Sequence, residues 1–132
     1  MDRTVSTVIR TGHGIVVVRS RKPKENQWRL PKVPIAADAD WREENSIFIR
    51  KTTGLRIPKG RFLALREDNE SILCTAAVSD MDVIRDIISL GEGGIEVHEV
   101  SYYLVNNGSS VQKPVRVLLQ QQKLNRPPEA GT

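Results

Sequence analysis

Histidine and cysteine are scarce in this chain, as are aromatic residues, and the first two shortages each exclude something. The two histidines, His13 and His98, lie far apart, and the single cysteine, Cys74, has no partner. A structural zinc site draws on a clustered Cys/His ligand set, so none is expected, and both histidines read as surface or edge residues. A lone cysteine makes no disulfide within the chain, which suits a reducing compartment. Its setting, Ile72-Leu73-Cys74-Thr75-Ala76-Ala77-Val78, is that of a small buried hydrophobe. No run approaches the roughly 18 apolar residues of a membrane span. Met1-Asp2-Arg3-Thr4 lacks the basic-then-apolar layout of a secretory leader. The cytoplasm is therefore the expected location, with no membrane partner. No G-x-S-x-G elbow is present, so a Ser/His/Asp triad has no support. Gly91-Glu92-Gly93-Gly94 lacks the lysine and spacing of a phosphate loop and reads as a linker.

What is present is one domain's worth of chain with an uneven charge. The 132 residues suffice for a single core. The expected domain is 1–124, with 125–132, rich in proline, as a disordered tail. Residues 1–60 hold 13 Lys/Arg against 6 Asp/Glu, a balance of +7; residues 61–132 hold 7 against 10, a balance of −3. A basic half favours polyanions such as nucleotides or RNA. The alternative is a solvated surface of mixed charge.

Hydrophobic spacing supplies the element order. Thr4 to Thr11 alternates as a strand, and Gly12-His13-Gly14 turns the chain. Gly14 to Arg21 carries Ile15-Val16-Val17-Val18, the β-branched run of a buried strand. Trp28 to Leu30 fits a short third strand. Asp40 is a candidate helix N-cap with Glu43 three residues on, Trp41 to Thr53 the helix, and Gly54 its C-cap. Glu43 and Glu44 suit the positive end of that helix. Arg61 to Arg66 and Ser71 to Val78 read as a hairpin around a polar loop. Met81 to Leu90 fits a second helix capped by Asp80. Ile95 to Val105 alternates as a strand, and Asn106-Asn107-Gly108 turns. Val115 to Leu124 fits helix or strand, with Gln120-Gln121-Gln122 favouring helix.

The most specific feature is Trp28-Arg29-Leu30-Pro31 followed at a fixed distance by Thr53-Gly54-Leu55. These ends resemble the ends of a Nudix box, G-x5-E-x7-R-E-U-x-E-E-x-G-U, which usually follows W-x-L-P-G. Gly54-Leu55 falls on the last G-U, and Val33 falls on the first glycine with no insertion or deletion. Between those ends the acidic residues are gone. Ala39 stands at the first glutamate, Ile47-Phe48 at the R-E pair and Lys51-Thr52 at the E-E pair; Ile49 keeps the aliphatic position.

The resemblance implies an α/β (α+β) fold, a Nudix-like α/β/α sandwich with a mixed sheet. In that family, glutamates on one helix face hold divalent metal that assists cleavage of a nucleoside diphosphate derivative. Positions 48, 51 and 52 share a helix face. Here that face offers Phe, Lys and Thr, and magnesium wants hard oxygen ligands. No catalytic residue and no metal site are therefore expected, and no cofactor. The leading expectation is a binding or regulatory module for a nucleotide or another phosphorylated molecule, with nucleic acid as a weaker possibility. The candidate contacts are Arg19, Arg21, Lys22, Lys24, Trp28, Lys32 and Lys51. A second expectation is a divergent hydrolase with relocated carboxylates, Glu44 and Glu99 (Glu96 being the alternative to Glu99), and magnesium. A third is a structural or interaction domain, as a homodimer.

Overall fold

The computed structural model describes residues 2–79 and 94–129. The helix expected at 81–90 and most of the glycine-rich linker lie outside them, as do residues 130–132. The element order is β1 (Asp2–Arg10), β2 (Gly14–Ser20), β3 (Lys32–Ala36), α1 (Trp41–Thr53), a 3-10 turn (Lys59–Arg61), β4 (Leu63–Glu67), β5 (Ser71–Ala77), β6 (Ile95–Ser101), α2 (Tyr102–Asn107) and α3 (Lys113–Gln121).

The strands form one mixed six-stranded sheet in the order β4-β5-β1-β2-β6, with β3 also on β1. β1 is the hub. It runs parallel to β5, with Val5 opposite Ile72. Its first half pairs antiparallel with β3, and Ile9 and Arg10 pair antiparallel with β2. The two faces follow the strand period of two. Val5, Ile9, Val16 and Val18 face a core closed by Trp41 and Ile49 of α1. Val8, Ile15 and Val17 face a second core closed by Leu119 of α3. The unbroken run Ile15-Val16-Val17-Val18 thus serves a strand covered on both sides. Helices on both faces of a mixed sheet give the expected three-layer architecture. No helix among the described residues is long and apolar enough to cross a membrane.

α1 matches its expected bounds for the expected reasons. The Asp40 carboxylate accepts from the N–H groups of Arg42 and Glu43, at 3.2 and 3.4 Å. Gly54 ends the helix at φ 81, in the left-handed region that glycine enters without cost. Trp41, Asn45, Ile49 and Thr53, four residues apart, form its buried stripe. Asn45 Nδ2 donates to Thr7 Oγ1 at 2.9 Å, tying α1 to β1.

Two expectations need correction. The third strand is Lys32–Ala36, not 28–30. Trp28 and Arg29 make only isolated bridges, to Val111 and Val18. Pro34 is tolerated because β3 pairs on one side only. The strand after residue 94 ends at Ser101, whose hydroxyl accepts from Leu104 N–H and starts α2 where alternation had suggested more strand and a turn. The last of the expected elements is helical, the alternative its glutamines favoured, with the bounds Lys113–Gln121 in place of 115–124. At the chain's end Leu124 is buried, Asn125 Nδ2 donates to Asn106 Oδ1 at 2.8 Å, and the Arg126 carbonyl accepts from Arg10.

Candidate functional site

Turning α1 so that its stripe of four is buried leaves Phe48, Lys51 and Thr52 at the edge of the helix, facing β2 and the start of β6. They line a cleft of about 280 Å³ together with Val18, Arg29, Lys32 and Ile95. The positions that resemble the box's acidic face therefore do border a cavity. That cavity carries three cations and no carboxylate. Lys32 and Lys51 are exposed and make no ion pair among the described residues. Arg29 is held by Glu25, Nε to Oε1, at 3.2 Å. Lys51 also suits the negative end of the α1 dipole.

The cleft has neighbours on both sides. Phe48 and Lys51 divide it from a space of about 450 Å³ lined by β3 residues, Ala39, Glu44 and Ile47. Arg29 and Lys32 are shared with a third cavity of about 270 Å³ on the α3 side of the sheet, where Ser6, Arg66 and Gln112 stand among Leu30, Leu73 and Leu118.

The expected contacts divide into three groups. Lys32 and Lys51 come together. Arg19 and Trp28 do not join them. Arg19 has the strand parity of Val17, not of Val18, and so projects to the α3 side. There its guanidinium lies 4.1 Å from the Trp28 ring centroid, and Trp28 stacks on His98 at 5.3 Å. Arg19 Nε and Arg21 Nε reach Glu96 at 2.6 and 3.2 Å. The Arg19 hydrogen bond, with help from Arg21, holds the Glu96 carboxyl below its usual range against the opposing effect of desolvation. Trp28 is buried and stacked within this cluster. Lys22 and Lys24 are exposed in the loop after β2 and line none of these three spaces.

The alternative carboxylates are also placed. Glu44 lines the space beyond Phe48, while Glu99, on β6, accepts from Thr11 Oγ1 at 2.5 Å and is not among that space's lining. Among the described residues no three of His, Cys, Asp and Glu gather as a metal set. The donors at the box positions do not fit magnesium either: Phe48 offers no ligand and an ammonium at Lys51 repels a cation. Sequence reasoning missed Arg29, which holds the unassigned position of W-x-L-P, and Arg66, which arrives from a distant hairpin.

The arrangement defines a class by its layers: a mixed sheet between helices, with a capped helix following the W-R-L-P segment and bordering a cleft. No family model matches the sequence, and no curated protein matches it. Solved structures do match. A MutT structure from work on Aliivibrio salmonicida and Vibrio cholerae superposes with a TM-score of 0.63 at 14% identity, covering 92% of this chain and 98% of that one. A MutT/nudix family protein from Enterococcus faecalis gives 0.59 at 17% identity over 76% of this chain; the match spans only 43% of that longer protein. The C-terminal domain of mouse MUTYH, solved in complex with human PCNA, gives 0.56 at 9% identity over 93% and 88%. The chain has the Nudix fold.

Proposed function

We propose that this Nudix-fold protein binds a phosphorylated ligand, a nucleotide in the first instance, and does not hydrolyse it by the family's metal-assisted route. The supporting observation is the cleft beside α1: at the positions where a hydrolase needs carboxylates it has Phe48, Lys51 and Thr52, and its charged lining is Arg29, Lys32 and Lys51. Metal-assisted phosphoanhydride hydrolysis needs a cation held near the phosphates and an activated water. Lysine and arginine can meet phosphate charge directly, Arg in a two-point fork and Lys as a point charge, but neither is a general base when protonated. Phosphates would lie between Lys32 and Lys51. The rest of the ligand has room in the adjoining cavity, which shares Arg29 and Lys32 and mixes apolar side chains with Ser6, Arg66 and Gln112.

Thermal melts with nucleoside mono-, di- and triphosphates, with and without chelator, test this. Stabilisation that persists in chelator supports direct cationic binding. Absence of any shift, or magnesium-dependent product release at a turnover typical of hydrolases, rejects it. A second reading, an interaction domain, is favoured by one comparison: the MUTYH domain of this fold was solved bound to a protein partner.

A further inference from the structure

The cations around α1 do not end at the cleft. On the outer side of Ile47 a groove of about 420 Å³ runs between α1 and the chain at 56–58, and Arg50 and Arg56 stand in it. Both are exposed and make no ion pair among the described residues. The groove's one acid, Glu43, is engaged by Lys59 at 3.6 Å. Ile47 is common to this groove and the space of about 450 Å³; Phe48 and Lys51 are common to that space and the cleft. Three concave spaces therefore follow one another around the helix, each divided from the next by one or two side chains. Cations stand along the whole path, and Glu44 is the single carboxylate on it without an ion pair. A ligand with one phosphate group occupies one space. A repeating polyanion is long enough to follow all three.

We propose that the protein binds single-stranded nucleic acid, the backbone passing around α1 from Arg56 and Arg50 through Lys51 to Lys32, with bases against the ridges formed by Ile47 and Phe48. This deepens the phosphate-binding reading of the cleft, and its Lys51–Lys32 half rests on that reading. The path curves around a helix roughly 10–12 Å across. A duplex, with a persistence length of about 150 base pairs, is too stiff to follow it; a single strand is not. The spaces are of the size that holds one small organic unit, and a cationic groove with an aromatic side chain for base stacking, here Phe48, is the usual arrangement for sequence-tolerant strand binding.

The test is fluorescence anisotropy of a labelled uridine dodecamer across a salt series, using the full chain. Four phosphate contacts give a slope of log K against log salt of about −2.8. The double variant R50A/R56A removes two of them and brings the slope to about −1.4. A fourfold rise in salt then weakens the wild type about 50-fold and the variant about 7-fold. Both arginines are exposed, so the variant should melt like the wild type, and its stabilisation by a mononucleotide should be unchanged. Lys51→Glu should weaken both ligands. An unchanged slope in R50A/R56A overturns the proposal, as does equal affinity for a duplex of the same length or displacement by polyglutamate. Mononucleotide stabilisation without dodecamer binding overturns the strand alone; if neither ligand binds, the cleft reading falls with it.

Discussion

Replacing Lys51 with glutamate puts the cleft to its most direct test. Lys51 is exposed, borders the spaces on both sides of Phe48 and has no ion-pair partner among the described residues, so the substitution breaks no ion pair; it does place a negative charge at the negative end of α1, so each protein's shift is read against its own unliganded melt. A hydrogen bond to a charged group contributes about 1.5–3 kcal/mol. Losing it weakens a phosphate ligand roughly 10- to 150-fold, at about 1.4 kcal/mol per factor of ten. The reversed charge adds repulsion. A ligand at about 100 times its Kd stabilises by about 2.7 kcal/mol; a tenfold loss leaves about 1.4, and a hundredfold loss about 0.4. At about 3–6 °C per kcal/mol for a domain of this size, the wild-type shift is about 8–16 °C and the variant's is half of that or less. The assay is thermal melting with a nucleoside diphosphate in chelator. Arg126→Glu, the same charge change at an exposed position near the chain's end, is the control and should keep the full shift. A full shift in Lys51→Glu, or an equal loss in Arg126→Glu, refutes the reasoning: the first removes Lys51 from the site, the second reduces the effect to net charge. Hydrolysis should not appear in Lys51→Glu, because one carboxylate is not a metal site.

Three further outcomes are expected. Trp28→Ala removes a buried ring on which Arg19 and His98 both pack, and such truncations cost about 3–5 kcal/mol; a urea-derived loss under about 1 kcal/mol would contradict the packing described. Burial raises the Cys74 thiol from its ordinary 9.0 to about 11, with Thr7 and Arg42 opposing. The fold therefore favours the neutral thiol, a contribution present below the unfolded value and lost as pH rises through the folded one, so an aromatic disulfide reagent at neutral pH should label Cys74 only as the protein unfolds. The hydrogen bond from Lys59, with the N–H of Glu43, lowers Asp40 below its ordinary 3.8. That stability is present above the unfolded value and lost as pH falls through the folded one, so Asp40→Asn should have a lower urea midpoint than the wild type at neutral pH, and the gap should narrow as pH falls below the unfolded value and close once Asp40 is protonated in both states.

The parts of this fold that were legible in the sequence are those with a local cause. Asp40 sets one end of α1 through its carboxylate and Gly54 the other through its left-handed backbone, and the run Ile15–Val18 announced a strand covered on both sides. The failures have physical causes too. Pro34 hid an edge strand, because a residue without an N–H looks like a breaker until the partner is known to lie on one side only. α2 was hidden because a helix of six residues is too short to show its period, and alternation simply ran on through Tyr102. At the site, Lys32 and Lys51 were found through their positions in the W-R-L-P to G-L frame. Arg19 was grouped with them by nearness along the strand, although one step along a strand reverses the face. Arg66 had no local signal, since it reaches its cavity through the pairing of β4 with β5.

The helix also explains how the frame and its chemistry can separate. The residues that fix α1 on the sheet are Trp41, Asn45, Ile49 and Thr53, the buried stripe, with Asp40 and Gly54 at the ends. The residues that border the cleft are Phe48, Lys51 and Thr52, one step around the helix. The two sets share no member. Lys51 can change charge with little effect on how the first set packs, because it is exposed, and Thr52 is only half-buried; Phe48 packs partly against the core that holds Trp41 and Ile49 and is the more constrained of the three. The fold's stability thus places weak constraint on the charge of the cleft. What the cleft can bind is set by these edge residues, and in its lining they are basic and apolar where the box frame would place carboxylates.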